Sequence, residues 1–226
     1  MTEAHFWIHQ LEAFYHFAEP VRWHLNAFLK AVKEVPILLS QELQNHPGFP
    51  EWFRAEREHL YANGLLRILH KQRDFIVHQG MLIPKSSGGI GRTEGRGFKV
   101  GVSLSIEPHL DSDEAMGRYL FLVAMDGDDM FSILEEDEDS VPCVHRVWRL
   151  EPFDEELVDL AVRAWAETAA MVRRVIRWLG DESPKLTLEC RCRHSAQDVQ
   201  FKTYDRKILL ATVERMREDL TVSGTK

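Results

Sequence analysis

The chain has 226 residues, of which 44% are hydrophobic and 28% charged, with a formal net charge of -8 and three cysteines. This length and composition suffice for a buried core and exclude a disordered chain, and the acidic balance argues against a general, non-specific nucleic-acid coat. The chain has no apolar run near the ~18 residues that span a bilayer, no secretory signal pattern over residues 1–10 and no disulfide framework, so we expect a soluble cytoplasmic protein that does not associate with membranes.

The N-terminal part of the chain has the apolar spacing of amphipathic helices. This pattern predicts helices over residues 3–18, 21–43 and 51–78. Pro20 and the segment 45–50 (NHPGFP) separate them, and Pro36 either kinks the second helix or ends it. Gly80 and Pro84 then follow the third helix in the order that is typical of a helix end.

The middle of the chain predicts a small β insertion over residues 85–150. Residues 85–97 (KSSGGIGRTEGRG) include five glycines and predict a flexible loop. Alternating side chains over 98–106 predict one strand, and the segments 118–125 and 143–150 predict two more. The acidic residues of 126–139 predict a solvated loop between these two segments.

The C-terminal part returns to a helical pattern. Pro152 opens a helix that runs to Leu179, with three acidic residues in its first turn at the positive end of the dipole. Residues 186–194 and 199–204 predict a hairpin and 207–220 a final helix, so that 185–226 form an appendage. The expected fold is therefore mainly α: a single helical-bundle domain over residues 1–226 with a small antiparallel β insertion and a C-terminal hairpin plus helix.

The best candidate for chemistry is the segment RDFIVH at the end of the third predicted helix. Asp74 and His78 are four residues apart and share a helix face, whereas Arg73 lies about 140° around the axis from His78. Histidine can transfer protons near neutral pH, and arginine can bind a phosphate. These are the side chains that metal-free RNA cleavage requires. A structural interpretation competes with this one, because Asp–His pairs at this spacing are common and Arg54 with His59 repeats the Arg-to-His spacing.

This motif has the form Arg-polar-x-x-x-His near the end of a long helix. It follows two aromatic-rich helices, AFYHFAEPVRWHLNAFLKAV and FPEWFRAEREHLYANGLLRIL. Together these features resemble a HEPN domain, a helical-bundle family of nucleotide-binding proteins, over residues 13–81. The resemblance implies that Arg73 binds the phosphate or the transition state, that His78 acts as acid or base, and that Asp74 orients them.

The resemblance also implies a function and its partners. The chain is expected to be a metal-independent endoribonuclease that cuts RNA through the 2′-OH, in prokaryotic defence or stress response. RNA, a second copy of the chain in a homodimer, and an antitoxin or other protein are the expected partners, with no metal and no cofactor. The alternative is a non-catalytic helical bundle that binds a protein partner or a nucleotide.

Two arginines in the glycine-rich segment are expected to bind RNA. Arg92 and Arg96 come soon after the His78 helix in the chain, which would place them beside an RNA cleft. The glycines do not lie between a strand and a helix, as those of a phosphate-binding loop do.

A zinc site is the remaining alternative. Cys190, Cys192 and His194 alternate on the predicted hairpin, as Cys143 and His145 do on the predicted strand, so two neighbouring strands would bring ligands together. Small cysteines on the buried face of a hairpin are the simpler interpretation, and we expect no metal.

Overall fold

The computed structural model describes residues 1–62, 64–79, 82–95, 97–104, 106–127, 133–180 and 194–223, with only the backbone of residues 75–79, 103–104 and 223. Within them lie seven α-helices: α1 (Thr2–Ala13), α2 (Ala18–Leu43), α3 (Phe49–Ala62), α4 (Gly64–Gln79), α5 (Ser112–Asp126), α6 (Leu157–Trp178) and α7 (Arg206–Ser223). The same residues contain four strands: β1 (Lys85–Glu94), β2 (Gly97–Leu104), β3 (Val141–Arg149) and β4 (Phe201–Thr203). The chain forms two compact units.

The first unit is helical and consists of Met1–Phe14, Pro20–Ile83 and Leu157–Ser195. Its apolar positions recur every three or four residues, so each helix buries one face. The core includes Ile8, Leu11, Leu25, Phe28, Phe53, Leu66, Leu69, Ala164 and Met171. An ion pair joins α6 to α3, because Nε of Arg174 donates to Oε1 of Glu56 at 2.6 Å.

The proline positions explain two differences from the predicted helices. Pro20 lies in the first turn of α2, where a missing N–H is tolerated, so the helix begins before it rather than after it. Pro36 lies inside α2, and the helix continues beyond it to Leu43. The predicted helix 51–78 is two helices, α3 and α4, and Asn63 between them lies outside the described residues.

The second unit is built on an antiparallel sheet and consists of Tyr15–Glu19, Pro84–Glu156 and Ala196–Lys226. The strand order is β2-β1-β3-β4. Helices α5 and α7 pack in the same unit, and its core includes Ile90, Met116, Leu120, Val123, Val144, Leu209 and Val213. The prediction of a mainly α helical bundle is therefore wrong: the fold is mixed α/β, with a four-stranded sheet rather than a small insertion.

The glycine-rich segment is the main cause of that error. Residues predicted as a flexible loop form β1, which lies between β2 and β3 in the sheet. A Cβ at Gly91 would overlap the carbonyl oxygen of Val100, and one at Gly88 would overlap that of His145. These glycines therefore allow the neighbouring strands to approach closely. In the sequence alone, the same glycines predict a flexible loop.

The prediction of a strand over 118–125 is also wrong, because this segment lies in helix α5. The backbone N–H of Asp111 donates to Oε2 of Glu114 at 2.9 Å, and Gly127 ends the helix with φ +73°. The buried apolar positions follow a helical period: Ala115, Met116, Tyr119, Leu120, Val123 and Ala124. A short apolar run fits both periods, and the end signals favour the helix.

Several predicted elements agree with the structure. Strands β2 and β3 and helix α7 lie where the pattern placed them, with ends displaced by a few residues. Helix α6 begins at Leu157 and not at Pro152, so the three acidic residues expected in its first turn precede the helix. Of the predicted C-terminal hairpin, 199–204 contains β4, which pairs with β3; residues 186–193 of its other arm lie outside the described residues. In the described part of the chain, no helix combines the length and the apolar character that a bilayer span requires.

Candidate functional site

Helix α4 carries the predicted catalytic residues. Arg73 and Asp74 lie in its second half, and His78 lies in its last turn, where the structure describes the backbone alone. Nη1 of Arg73 is 3.5 Å from Oδ1 of Asp74. The structure therefore joins Arg73 to Asp74, and it places His78 one helical turn after Asp74.

Lys33 of α2 is a further member of this group. Its ammonium donates a hydrogen bond to Asp74, and this bond, with the charges of Lys33 and Arg73, lowers the pKa of the Asp74 carboxyl. The described partners of Asp74 are thus two cations. Sequence reasoning missed Lys33 because it precedes Asp74 by 41 positions and no local pattern connects them.

His70 lies one turn before Asp74 and is 5% exposed. Burial, followed by the charge of Lys33, lowers the pKa of His70 to about 4, so its imidazole is neutral at pH 7. Its ring packs edge-on against Tyr61 at 5.7 Å between centroids. His70 is therefore an uncharged, packed neighbour of the Lys33–Asp74 pair and not an exposed base.

Of the two predicted RNA-binding arginines, the structure describes Arg92. Arg92 lies in β1 with its side chain 5% exposed, and Nη2 is 3.1 Å from Oδ2 of Asp137. Lys99 of β2 meets the same carboxylate at 2.9 Å, and its hydrogen bond is the main reason that the pKa of Asp137 lies far below the ordinary range. The guanidinium of Arg92 is therefore buried and paired with a partly exposed carboxylate. Arg96 lies outside the described residues.

The residues of the predicted zinc alternative are described only in part. Burial raises the pKa of the Cys143 thiol to about 12, so it stays protonated at neutral pH. His145 packs against the rings of Phe98 and Phe201, at 5.3 and 4.6 Å between centroids. Cys190 and Cys192 lie outside the described residues, whereas His194 is described.

His194 takes part in a histidine cluster with α1. Nδ1 of His194 is 2.6 Å from Oε2 of Glu12, and its Nε2 is 3.1 Å from Nε2 of His5. One potential ligand atom from each of His5, His9 and His194 lies within 4.8 Å of the other two. The available sequence signal was the spacing of His5 and His9, four residues apart on α1, which places both on one helix face.

A groove between α2 and α3 has a volume of about 410 Å³ and carries cationic side chains. Arg54, Arg57 and Tyr61 of α3 line it, together with Ser40 of α2 and Gln44, which follows α2. The guanidinium of Arg57 lies over the Tyr61 ring at 5.8 Å from its centroid. Proteins bind nucleotides with positively charged, aromatic and hydrogen-bonding side chains, and this groove has all three.

The N-terminal part of the chain is similar to a known sequence family. A family model described as bacteriophage lambda protein ea47 matches residues 1–88. This range includes α1 to α4 and therefore the Arg73–His78 segment. No curated protein and no solved structure matches the chain.

The resemblance to the HEPN family is wrong, because the family that matches these residues is a different one. The motif of residues 73–78 is too short to identify a family, because Arg54 and His59 repeat its spacing in α3. Aromatic-rich amphipathic helices are also a general property of helical cores. The similarity to the phage family is confined to residues 1–88, and its description assigns no chemistry.

Proposed function

We propose that the protein cleaves RNA without a metal ion, with Arg73 and His78 as catalytic residues. The observation that carries the proposal is the arrangement of two cations, Lys33 and Arg73, around the single carboxylate of Asp74. Lys33, Arg73 and Asp74 together carry a net charge of about +1, which attracts a phosphate. Asp74 lies one helical turn before His78. We place this activity in the cytoplasm, where RNA is abundant. The proposed biological role is defence or stress response.

The proposed reaction is an internal transesterification. A base removes the proton of the ribose 2′-OH, the 2′ oxygen attacks phosphorus, and the bond from phosphorus to the 5′ oxygen breaks as an acid protonates that oxygen. The products are a 2′,3′-cyclic phosphate and a 5′-hydroxyl end. His78 would transfer the proton, Arg73 would bind the phosphate oxygens, and Asp74 would orient Arg73 and Lys33.

The spacing of the two catalytic residues supports a homodimer as the active form. Arg73 and His78 lie about 140° apart around one helix, so a single α4 directs them to different sides. Two copies of α4 facing one another would place Arg73 of one copy near His78 of the other. RNA and a second copy of the chain are therefore the proposed partners, and an antitoxin-like protein would act by covering this face.

The test is cleavage of labelled single-stranded RNA in excess EDTA. We expect the wild type to form cyclic-phosphate ends, and Arg73→Ala and His78→Ala to lower the rate by about 100-fold or more. Arg67→Ala and His59→Ala are matched controls, because both side chains are exposed on the neighbouring surface of α4 and α3. Loss of activity in EDTA, or equal rates in all variants, would contradict the proposal.

The dimer has its own test. If each active site uses Arg73 of one copy and His78 of the other, mixing the two inactive variants restores cleavage, because half of the mixed dimers' sites contain both residues. If one copy holds a complete site, each variant inactivates its own site and mixing restores nothing.

The second candidate function is nucleotide binding without catalysis, and the groove lined by Arg54, Arg57 and Tyr61 favours it. Titration with a nucleoside triphosphate should then give saturable binding that Arg57→Ala weakens by about 10-fold, as expected for one lost charge-assisted hydrogen bond. Arg67→Ala is again the control. Binding of nucleotide without any RNA cleavage would favour this function over the first.

A further inference from the structure

We propose that His5, His9 and His194 form a binding site for Zn²⁺, in which Glu12 orients His194. This site goes beyond the proposed ribonuclease function and does not depend on it. Its residues belong to the helical unit, where α1 supplies two ligands and the segment that follows α6 supplies the third. Imidazole nitrogen is a preferred ligand of zinc and of related transition metals.

The hydrogen bond to Glu12 determines which nitrogen of His194 binds the metal. A carboxylate is an acceptor only, so Nδ1 of His194 donates its proton to Oε2 of Glu12 over 2.6 Å. In the neutral ring, Nε2 then carries a lone pair and no proton. Metal-bound histidines are usually held by such a carboxylate on their second nitrogen, which orients the ring and increases its basicity.

The position of His5 agrees with a shared ion. Its Nε2 lies 3.1 Å from Nε2 of His194, close to the distance of about 3.3 Å between two ligands of a tetrahedral zinc ion at 2.0–2.1 Å from each.

His9 completes the set from the same helix. It follows His5 by four residues, the spacing by which paired histidines on one helix bind zinc in metalloenzymes. Its potential ligand atom lies within 4.8 Å of those of His5 and His194, so side-chain rotation has to close at most about 1.5 Å. With three protein ligands, the fourth position of the ion would be open to water.

Burial is graded across the cluster. The side chain of His194 is 4% exposed and that of Glu12 18%, whereas that of His9 is 40% exposed. The ion would therefore enter past His9 and reach a partly dry position between His5 and His194. The start of α1 is held in place by Trp165 of α6, whose Nε1 donates to the Met1 carbonyl at 3.3 Å, so the two α1 ligands have a fixed support.

Zinc binding by the full-length chain is the test, measured by competition with a chromophoric zinc indicator after removal of metal by dialysis. We expect one Zn²⁺ per chain with a Kd below about 1 μM. His9→Ala should weaken binding by about 100-fold, and Glu12→Gln by about 10-fold, as positioning residues do. His59→Ala, an exposed histidine on α3, should change the Kd by less than about twofold.

A second measurement does not depend on the variants folding. Addition of Zn²⁺ to the ¹⁵N-labelled wild type should shift the resonance of His194 Nε2 strongly and leave Nδ1 in its protonated range. Fewer than about 0.5 Zn²⁺ per chain, equal Kd values for the wild type and His9→Ala, or metal on Nδ1 would each overturn the proposal. Neither measurement uses RNA, so a negative result contradicts the zinc site and leaves the ribonuclease proposal unaffected.

Discussion

Nδ1 of His194 lies 2.6 Å from Oε2 of Glu12, although 182 positions separate the two residues in the chain. This contact joins the last turn of α1 to the segment that follows α6 within the helical unit. It also selects the tautomer of His194, because the carboxylate can only accept a proton. This long-range contact therefore pairs a buried imidazole donor with a partly buried carboxylate acceptor.

The pKa of Asp74 should depend on Lys33. The hydrogen bond from Lys33 is the largest cause of its lowered pKa, so Lys33→Met should raise it toward the ordinary aspartate range. Because Lys33 also lowers the pKa of His70, that pKa should rise in the same variant. NMR titration of both side chains measures the change, and Lys30→Met, which removes an exposed lysine paired with Glu34, should move neither.

The Lys33–Asp74 pair should also contribute to stability, in a defined pH range. A carboxyl whose folded-state pKa is lowered stabilises the fold above its unfolded-state pKa of about 4, and this contribution is lost as the pH falls through the lowered value. Asp74 is half exposed, so solvent screening limits the effect to less than about 1 kcal/mol. An unfolding free energy that is equal in the wild type and Lys33→Met at every pH would contradict this assignment.

Acid should destabilise the fold through His70. Its folded-state pKa of about 4 lies below the ordinary value of 6.5, so the unfolded chain binds a proton first as the pH falls. The stabilising effect of the neutral ring is therefore complete above pH 6.5 and is lost between pH 6.5 and about 4, at about 1.4 kcal/mol per pH unit.

Urea unfolding at several pH values measures this slope. His70→Leu keeps an apolar volume at the buried position and removes the titrating group, so the slope of that variant should be smaller by about 1.4 kcal/mol per pH unit. His16, whose pKa burial also lowers to about 4, retains its own contribution. An unchanged slope would mean that His70 is protonated in the folded state.

Tyr15→Phe should destabilise the sheet-containing unit. The hydroxyl of Tyr15 donates to Oε1 of Glu156 at 2.7 Å, and the side chain of Tyr15 is 2% exposed. Removing a donor from a buried carboxylate costs about 1–3 kcal/mol. The free energy of unfolding in denaturant gives the value.

The matched control for that prediction is Tyr204→Phe. Its hydroxyl also donates to an aspartate, Oδ1 of Asp113, at 2.9 Å. The Asp113 side chain is 54% exposed, so water replaces the lost bond and the loss should stay below about 1 kcal/mol. A similar loss in both variants would show that burial does not determine the strength of the Tyr15–Glu156 bond.

Gly91→Ala should disrupt the centre of the sheet. The added Cβ would overlap the Val100 carbonyl oxygen of β2, and overpacking of this kind costs about 1–3 kcal/mol or more. Gly117→Ala in α5 is the control, because its Cβ would meet no atom within 4 Å and alanine favours a helix by about 1 kcal/mol. The two substitutions should therefore change the midpoint of thermal unfolding in opposite directions.

Much of the helical part of the fold could be predicted from local patterns. The apolar period of 3.6 residues located α1, α2 and α6, because a helix against a core buries every third or fourth side chain whatever its partner is. The alternation over β2 was equally informative. The same local information located Arg73, Asp74 and His78 on one helix, since their relative positions depend on helix geometry alone.

The strand β1 and the helix α5 show why the remainder could not be predicted. The glycines of β1 are required by the backbone of β2, the next strand, and of β3, which lies much later in the chain. The contact with β3 is not visible in the local pattern, which therefore does not mark these glycines as a strand. In α5, the run 118–125 is short and apolar, so the run alone is compatible with either period. The signals at the helix ends and the positions buried in the core decide for the helix.

The sequence by itself therefore determined the helical faces, the position of the Arg73–His78 motif and the i, i+4 pair of His5 and His9, because each depends on residues within a few turns of one helix. The tertiary structure alone decided that Lys33 meets Asp74, that Arg92 is buried against Asp137 and that His194 joins His5. The physical reason is that charge pairing and hydrogen bonding act over a few ångströms of space, and chain order carries no information about which distant residues folding brings within that distance.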